Sequence, residues 1–200
     1  QKELEAALAK MGTPAVLKAA TMGDDGKGQW KINPALDVSF RWHDGMEYTL
    51  EAFVDFQMEI SVIVARGMNG EMRCYCPVQN IHKNHILSET IVPAPISAKL
   101  TAEAERIAKT IAEGLGLVGV MAVEMFVTKD DQLLVNELAP RPHNSGHWTI
   151  DACMTSQFEQ TIRAICGLPL DSTERLCDAR MVNLIGDDIH DWQKHIASPN

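Results

Sequence analysis

The chain of 200 residues carries a net charge of −9 and is 46% hydrophobic, enough for a real core in one large domain or two small ones. The acidic balance argues against a nucleic-acid partner, and no apolar run reaches the roughly 18 residues that would suggest a membrane span. The opening QKELEAALAK is charged and helix-like, unlike a signal peptide, and Cys74, Cys76, Cys153, Cys166 and Cys177 have no metal-ligand spacing, so reduced thiols in a cytoplasmic protein are expected. A start inside a helical pattern without a preceding methionine suggests a piece of a longer polypeptide.

Leu4, Leu8 and Met11 recur at helical spacing and predict a helix over 2–11, ended by Gly12. A short strand over 14–19 carries Lys18 at its end. A loop with Gly23, Gly26, Lys27, Gly28 and Gln29 leads into a strand at 30–32, and residues 35–46 are poorly patterned. Strands are expected over 48–56 and 59–66, the second apolar on both alternating sets and so covered on both faces. Met68-Asn69-Gly70 reads as a hairpin turn, with a return strand over 72–78. Residues 79–100, with Pro93 and Pro95, are expected to wander over the surface, and His82 and His85 to lie on a loop that could cover a substrate. A helix over 101–114 is capped by Thr101, with Ala104, Ile107, Ala108 and Ile111 facing inward. A strand pair follows, turning at Asp130-Asp131, then a helix over 157–166 burying Phe158, Ile162 and Ile165, then a strand over 179–185. Helices kept apart from hairpin-joined antiparallel strands make an α+β layout. A boundary near 50–58 would divide it into a small lobe, 1–50, and a larger one, 51–200.

The chemistry concentrates in the second strand pair. Pairing symmetrical about its turn sets Glu124 directly across from Glu137. Two carboxylates about 5 Å apart repel unless a cation or proton lies between them. Magnesium, which takes oxygen ligands and often only one or two carboxylates beside substrate phosphates, suits such a pair; the other reading is a solvent-exposed face on which two glutamates merely oppose each other at a mild cost. Alternation puts Ala122, Glu124 and Phe126 on one face and Val135, Glu137 and Ala139 opposite them. Asn136 then points away, unless the strand twists or bulges. Downstream, Arg141, His143, Asn144, Ser145 and His147 supply a guanidinium, imidazoles and an amide. Arg141 suits a carboxylate or a transferring phosphoryl group. The spacing of His143 and His147 would suit zinc only on a helix, which Pro142 and Gly146 oppose. The glycine loop is neither a Walker loop nor a dinucleotide fingerprint, but its N–H groups and Lys27 could cradle phosphate, or it could be a solvated turn.

The order Lys18, glycine loop, Glu51 with Glu59, Glu124, Asn136-Glu137, Arg141 resembles the ATP-grasp superfamily, in which two lobes close on ATP and magnesium. The runs SVIVARGMNGEM, PVQNIHKNHIL, VGVMAVEMFVT, NELAPRPHNSGHWT and SQFEQTIRAICGLPL resemble N5-carboxyaminoimidazole ribonucleotide synthetase over nearly the whole chain. That resemblance implies an ATP-grasp fold with two lobes of antiparallel sheets and packed helices. It also implies that the family's N-terminal α/β domain and C-terminal β-rich end are missing from this stretch. The implied reaction is carboxylation of 5-aminoimidazole ribonucleotide by bicarbonate and ATP through carboxyphosphate, in purine biosynthesis. Lys18, Gly26, Lys27, Gly28 and Gln29 would hold ATP phosphates. Glu51 and the backbone at Ala52 and Val54 would take adenine, and Glu59 the ribose. Glu124 and Glu137 would bind Mg2+, with Asn136 beside them. Arg141, His143 and Asn144 would orient bicarbonate, carboxyphosphate or the amine. A homodimer is expected of the full-length protein. The family loop usually reads like TRRGGYDGKGQ, whereas here Ala19 to Gln29 lacks the arginines and tyrosine and adds Asp24. Two alternatives stand: an ATP-grasp ligase with another acceptor, and a nucleotide-binding module without turnover.

Overall fold

The computed structural model describes residues 2–21, 28–33 and 45–197, so Gly23, Gly26 and Lys27 of the glycine loop lie outside the described residues. The chain divides into two units: residues up to Asp55 with Asn84–Ile86, and Phe56–Lys83 with the chain from Leu87 onward.

In the first unit, α1 (Lys2–Met11) lies over a three-stranded sheet of order β2-β1-β3: β1 (Ala15–Ala19), β2 (Gln29–Ile32) and β3 (Tyr48–Ala52). Both pairings are antiparallel, with Leu17 opposite Trp30 on one side and Leu50 on the other. Leu4, Ala15, Leu17 and Ile32 form its core, with Leu8, Trp30, Tyr48 and Leu50 packed against it. Leu4 and Leu8 are one helical turn apart, which is why α1 can bury a stripe. Gly12, at φ +86°, donates its N–H to the Leu8 carbonyl 2.8 Å away and stops the helix in a conformation that favours glycine.

The second unit is built on a seven-stranded sheet. Its strands are β4 (Phe56–Arg66), β5 (Met72–Cys74), β6 (Val78–Lys83), β7 (Ile86–Val92), β8 (Gly119–Thr128), β9 (Leu133–Ala139) and β10 (Ala179–Val182). The order is β10-β7-β6-β4-β8-β9, with β5 paired to β4. β4 is covered on both faces, as its sequence requires. Ile60, Val62 and Val64 join Met121, Val123 and Met125 beneath α2 (Ala98–Gly114). Ile63 and Ala65 join Val120, Ala122 and Ala139 in a core completed by α3 (Thr149–Ala152) and α4 (Gln157–Ile165) through Trp148, Ala152 and Ala164. A short helix, α5 (Trp192–Ile196), closes the described chain. No described helix is long and apolar enough to cross a membrane.

Four sequence expectations need correction. Residues 79–100 do not wander: β6 and β7 occupy most of them, joined by a turn in which Asn84 and His85 both take positive φ, 51° and 65°. That is the backbone of a tight hairpin turn, and the asparagine was its sequence signal. His82 therefore lies on a strand. The return strand after the Asn69-Gly70 turn is shorter than expected; β5 stops at Cys74, although the Tyr75 N–H still donates to the Ile63 carbonyl of β4 at 2.9 Å, and paired strand resumes only after Pro77, which has no N–H to give a ladder. The cap of α2 is Ser97, whose hydroxyl accepts from the Leu100 N–H at 3.2 Å, rather than Thr101. The largest correction concerns α4, where Phe158, Ile162 and Ile165 are 40%, 54% and 46% exposed while Gln157, Gln160 and Ala164 are buried. The inward amides bind loop backbone: Gln160 Nε2 donates to the Asp171 carbonyl at 2.7 Å, and the Asp171 N–H returns to Gln160 Oε1 at 2.9 Å. Polar residues face in here because they satisfy backbone that would otherwise be buried without partners.

The face of α2 sets a size limit, since Ala104, Ala108 and Ala112 are fully buried against the sheet. Ala108→Leu is expected to cost about 1–3 kcal/mol through overpacking, read as a lower urea midpoint; an unchanged midpoint would contradict this packing.

Candidate active site

The face of the second sheet that carries α3 and α4 changes character along its strands. Ile63, Ala122 and Ala139 form one cross-strand row within the core. Two residues along, the next row reads Ser61, Glu124, Glu137. The apolar core thus ends where the carboxylates begin, and the sheet holds both of them by its ladder.

Glu124 does pair with Glu137, as the turn symmetry predicts. Beyond that pair the register shifts: Met125 meets Val135, and Phe126 meets Leu134. Asn136 is the extra residue of a β-bulge, so strict alternation, which set Val135 across from Phe126, fails there. A bulge bends its strand and re-aims the side chain that it carries. Phe126 stacks on Phe56 with ring centroids 4.5 Å apart.

Around Glu124 a connected polar cluster forms. His143 Nε2 lies 3.1 Å from Glu124 Oε1, and His143 Nδ1 lies 2.8 Å from Ser145 Oγ. Ser145 Oγ is in turn 2.8 Å from Ser61 Oγ. On the neighbouring strands, Glu59 of β4 pairs with His82 of β6. Arg141 is exposed and donates to the Pro142 carbonyl at 3.1 Å. Asn144 is half-buried, with its Oδ1 buried and unpartnered.

These neighbours set the charges. Burial alone would raise the Glu124 carboxyl, but the hydrogen bond and charge of His143, with the charges of His82 and Arg141, hold it below its ordinary value. Burial would push the His82 imidazole down, yet the hydrogen bond and charge of Glu59, helped by Glu124, raise it. His147 is lowered, first by burial and then by the charge of His143. Glu124 thus sits among cationic and donor groups, an arrangement suited to keeping its carboxylate ionised.

The loop bearing these groups is clamped from α4. Gln157, fully buried, accepts from the His143 N–H at 2.9 Å and donates to the His143 carbonyl at 2.7 Å. Thr149 Oγ1 donates to the Gly146 carbonyl at 2.6 Å and accepts from the Gln157 N–H at 2.9 Å. A Cβ on Gly146 would lie 2.6 Å from Gln157 Oε1, so glycine is demanded by the clamp.

In the first unit, Lys18 and Glu51 form an ion pair at 2.8 Å on adjacent strands. Gln29 lies opposite Lys18, and the Gly28 carbonyl accepts from the Ala19 N–H at 2.8 Å. Ala52 ends β3, and Val54 is half-buried in the connection to β4. Lys31 Nζ sits 4.0 Å above the Phe53 ring.

Among the described residues no three His, Cys, Asp or Glu side chains converge as a metal cage built from protein alone would require. Two carboxylates held opposite each other by the ladder are hard oxygen donors that leave positions for phosphate oxygens and water, which fits magnesium.

A model of the ATP-grasp domain matches residues 1–158. The chain belongs to the ATP-grasp family. It is 49% identical to the N5-carboxyaminoimidazole ribonucleotide synthase of Bacillus subtilis over 191 residues, covering 94% of this chain and 50% of that protein. The ADP complex of an N5-carboxyaminoimidazole ribonucleotide synthetase superposes with a TM-score of 0.93 at 47% identity, over 98% of this chain and 52% of that one. The Aspergillus clavatus enzyme complexed with ATP gives 0.90 at 31% identity, over all of this chain and 55% of that one. The chain thus spans about half the length of such bacterial relatives, and 22% of the bifunctional purine synthesis protein purC/E of Dictyostelium discoideum. The expected ATP-grasp fold, α+β with antiparallel sheets, is borne out.

Of the ATP-grasp site residues expected from sequence, Glu124, Glu137 and His143 are brought together, and Glu59 lies on the strand beside Glu124. Missed were His82, Ser61 and Gln157, while Ser145 stood in the candidate run without a role. His82 was hidden by reading its strand as loop. The others are small or amide residues inside the fold, and only the NSG run beside the histidine hinted at them.

Two outcomes follow from this geometry. Gly146→Ala is expected to cost about 1–3 kcal/mol, because Gln157 is held at both ends and cannot yield. In a Gln157→Ala background the added cost should shrink, as a double-mutant cycle in chemical unfolding would show. The raised imidazole of His82 lends stability that is complete below its ordinary value of 6.5 and is lost as the pH climbs through the raised one. His82→Gln should therefore flatten the decline of stability above that pH, and an unaltered profile would count against the pair with Glu59.

Proposed function

We propose that this chain serves the ATP-dependent carboxylation of 5-aminoimidazole ribonucleotide by bicarbonate, supplying its nucleotide- and magnesium-binding part. The products are N5-carboxyaminoimidazole ribonucleotide, ADP and phosphate. The observation that carries the reading is Glu124 held opposite Glu137 at a bulge, with Arg141, His143 and Asn144 on the adjoining clamped loop. The names of the relatives support it: the Bacillus subtilis protein is an N5-carboxyaminoimidazole ribonucleotide synthase, and one Aspergillus clavatus structure holds ADP and 5-aminoimidazole ribonucleotide.

Residues 1–50 are assigned as the smaller lobe, where Lys18, Gly26, Lys27, Gly28 and Gln29 hold phosphates. Glu51 takes the adenine amine, with the backbone of Ala52 and Val54 along the ring edge, and Lys18 is its present counter-charge. Residues 51–200 form the larger lobe, with Glu59 on the ribose. Glu124 and Glu137, with Asn136 beside them, hold Mg2+, which offsets charge on the transferring phosphoryl group.

A bicarbonate oxygen attacks the terminal phosphorus of ATP, ADP leaves, and carboxyphosphate results. The amine then attacks its carboxyl carbon, and phosphate leaves. Arg141 presents paired N–H donors to carboxylate oxygens. His143 and Asn144 orient the acceptor side, on a loop fixed from α4. Cytoplasmic location and a homodimer of the full-length protein complete the proposal.

Phosphate release is the test, after calorimetry establishes binding of ATP with magnesium. Release should require both bicarbonate and 5-aminoimidazole ribonucleotide. Glu137→Gln should lower it by about two orders of magnitude, since several kcal/mol of charge stabilisation depend on the metal. Release with another amine alone would assign a different ligase, and binding without release under any condition would assign a nucleotide-binding module.

A further inference from the structure

His143 has two chemically different nitrogens, and the fold chooses between them. Nδ1 is approached by the Ser145 backbone N–H at 3.4 Å and by Ser145 Oγ at 2.8 Å. A backbone N–H can only donate, so Nδ1 is the acceptor, and the ring proton belongs on Nε2. Nε2 lies 3.1 Å from Glu124 Oε1, where that proton is received. With the Ser145 hydroxyl hydrogen given to Nδ1, its lone pairs are left to accept a hydrogen bond, and Ser61 Oγ is placed to donate one at 2.8 Å. Ser61 and Ser145 are both fully buried, so bulk water does not compete for either hydroxyl. The chain of donors runs one way: Ser61 to Ser145 to His143 to Glu124. Ser61 is also the ladder partner of Glu124, so the origin and the end of the chain are fixed to each other by the sheet.

We infer that Ser145, oriented by Ser61, is a positioning residue that holds His143 as the Nε2–H tautomer with its proton aimed at Glu124. This occupies Oε1 of Glu124 and leaves Oε2 without a claim from the imidazole. It also makes the imidazole a donor rather than a general base or a metal ligand, since its accepting nitrogen faces the two serines. The functional half of the inference rests on the magnesium–ATP reading above.

The test has two readouts. Long-range 15N–1H correlation of the imidazole rings at about pH 8, where ordinary histidines are neutral, reports the tautomer. The signals lost in His143→Gln identify the ring. The unaltered chain should show the Nε2–H pattern, and Ser145→Ala should give a mixed or Nδ1–H pattern, with Ser61→Ala shifting it the same way. An Nδ1–H pattern in the unaltered chain, or the Nε2–H pattern retained in both serine variants, overturns the inference. The second readout is magnesium-dependent ATP hydrolysis. Ser145→Ala should lower kcat about tenfold with KM for ATP changed less than about threefold. In a His143→Ala background it should have no further effect; an equal loss in both backgrounds means a merely structural serine and overturns the functional half. The ring measurement needs no nucleotide. Absence of hydrolysis in the unaltered chain would overturn the magnesium–ATP reading, while the tautomer result still decides the positioning.

Discussion

The rest of the second unit depends on one constraint: two like charges must be held face to face on paired strands. Glu124 and Glu137 are ladder partners, and opposed carboxylates are destabilising by themselves. The surrounding structure answers this from two sides. The apolar row Ile63, Ala122, Ala139 anchors the same three strands one step away, so the ladder cannot slip without exposing core. Glu124 is in turn met by His143, with the charges of His82 and Arg141 nearby. Cationic and donor groups thus gather on the Glu124 side of the pair, and the proposed magnesium site rests on that arrangement.

Holding the carboxylates still is of little use if the groups around them wander. The segment after β9 begins Pro140, Arg141, Pro142 and has only a short 3-10 turn, Asn144–Gly146, of its own. Its order comes from α4, whose Gln157 takes both backbone groups of His143, and from the close approach allowed by Gly146. A buried amide satisfied on both sides gives direction as well as attraction, which apolar packing cannot do. This accounts for an otherwise odd helix that turns glutamines inward and leaves Phe158, Ile162 and Ile165 exposed.

Where sequence was informative and where it was not follows from the range of the forces involved. The turn at Asp130-Asp131 is a local signal, but the pairs next to it, Val127 with Leu133 and Phe126 with Leu134, stand one residue off the count symmetrical about it, and the extra residue of the bulge restores the counted pairing at Glu124. The bulge at Asn136 could not be counted, because one extra residue leaves no periodic mark of its own. The hairpin between β6 and β7 was legible in principle: an asparagine at a left-handed position is a local signal, but the prolines that follow drew attention away from it. The face of α4 was not legible, since helical periodicity reports which residues share a side, and burying amides on that side depends on loop backbones such as Asp171 that arrive from elsewhere in the chain. The family motifs were readable because they are contiguous; the partners of those motifs, Ser61 and Gln157, lie 84 and 14 positions from the residues they bind.

The same reasoning explains why Ser61 is a serine. It occupies a fully buried place on a strand whose neighbours Ile60, Val62, Ile63 and Val64 are all apolar, and a valine or alanine there would extend the core by one row. A hydroxyl at that position carries an energetic cost unless it is hydrogen-bonded, and its partner here is Ser145 on the clamped loop. The core therefore ends with a group that must look outward for a partner, and the loop approaches with a group that must look inward. Each satisfies the other, and the contact ties the strand bearing the site to the loop bearing the histidine. A purely apolar seam could slide by an ångström at little cost, whereas this one fixes where the imidazole stands relative to the carboxylate that it faces.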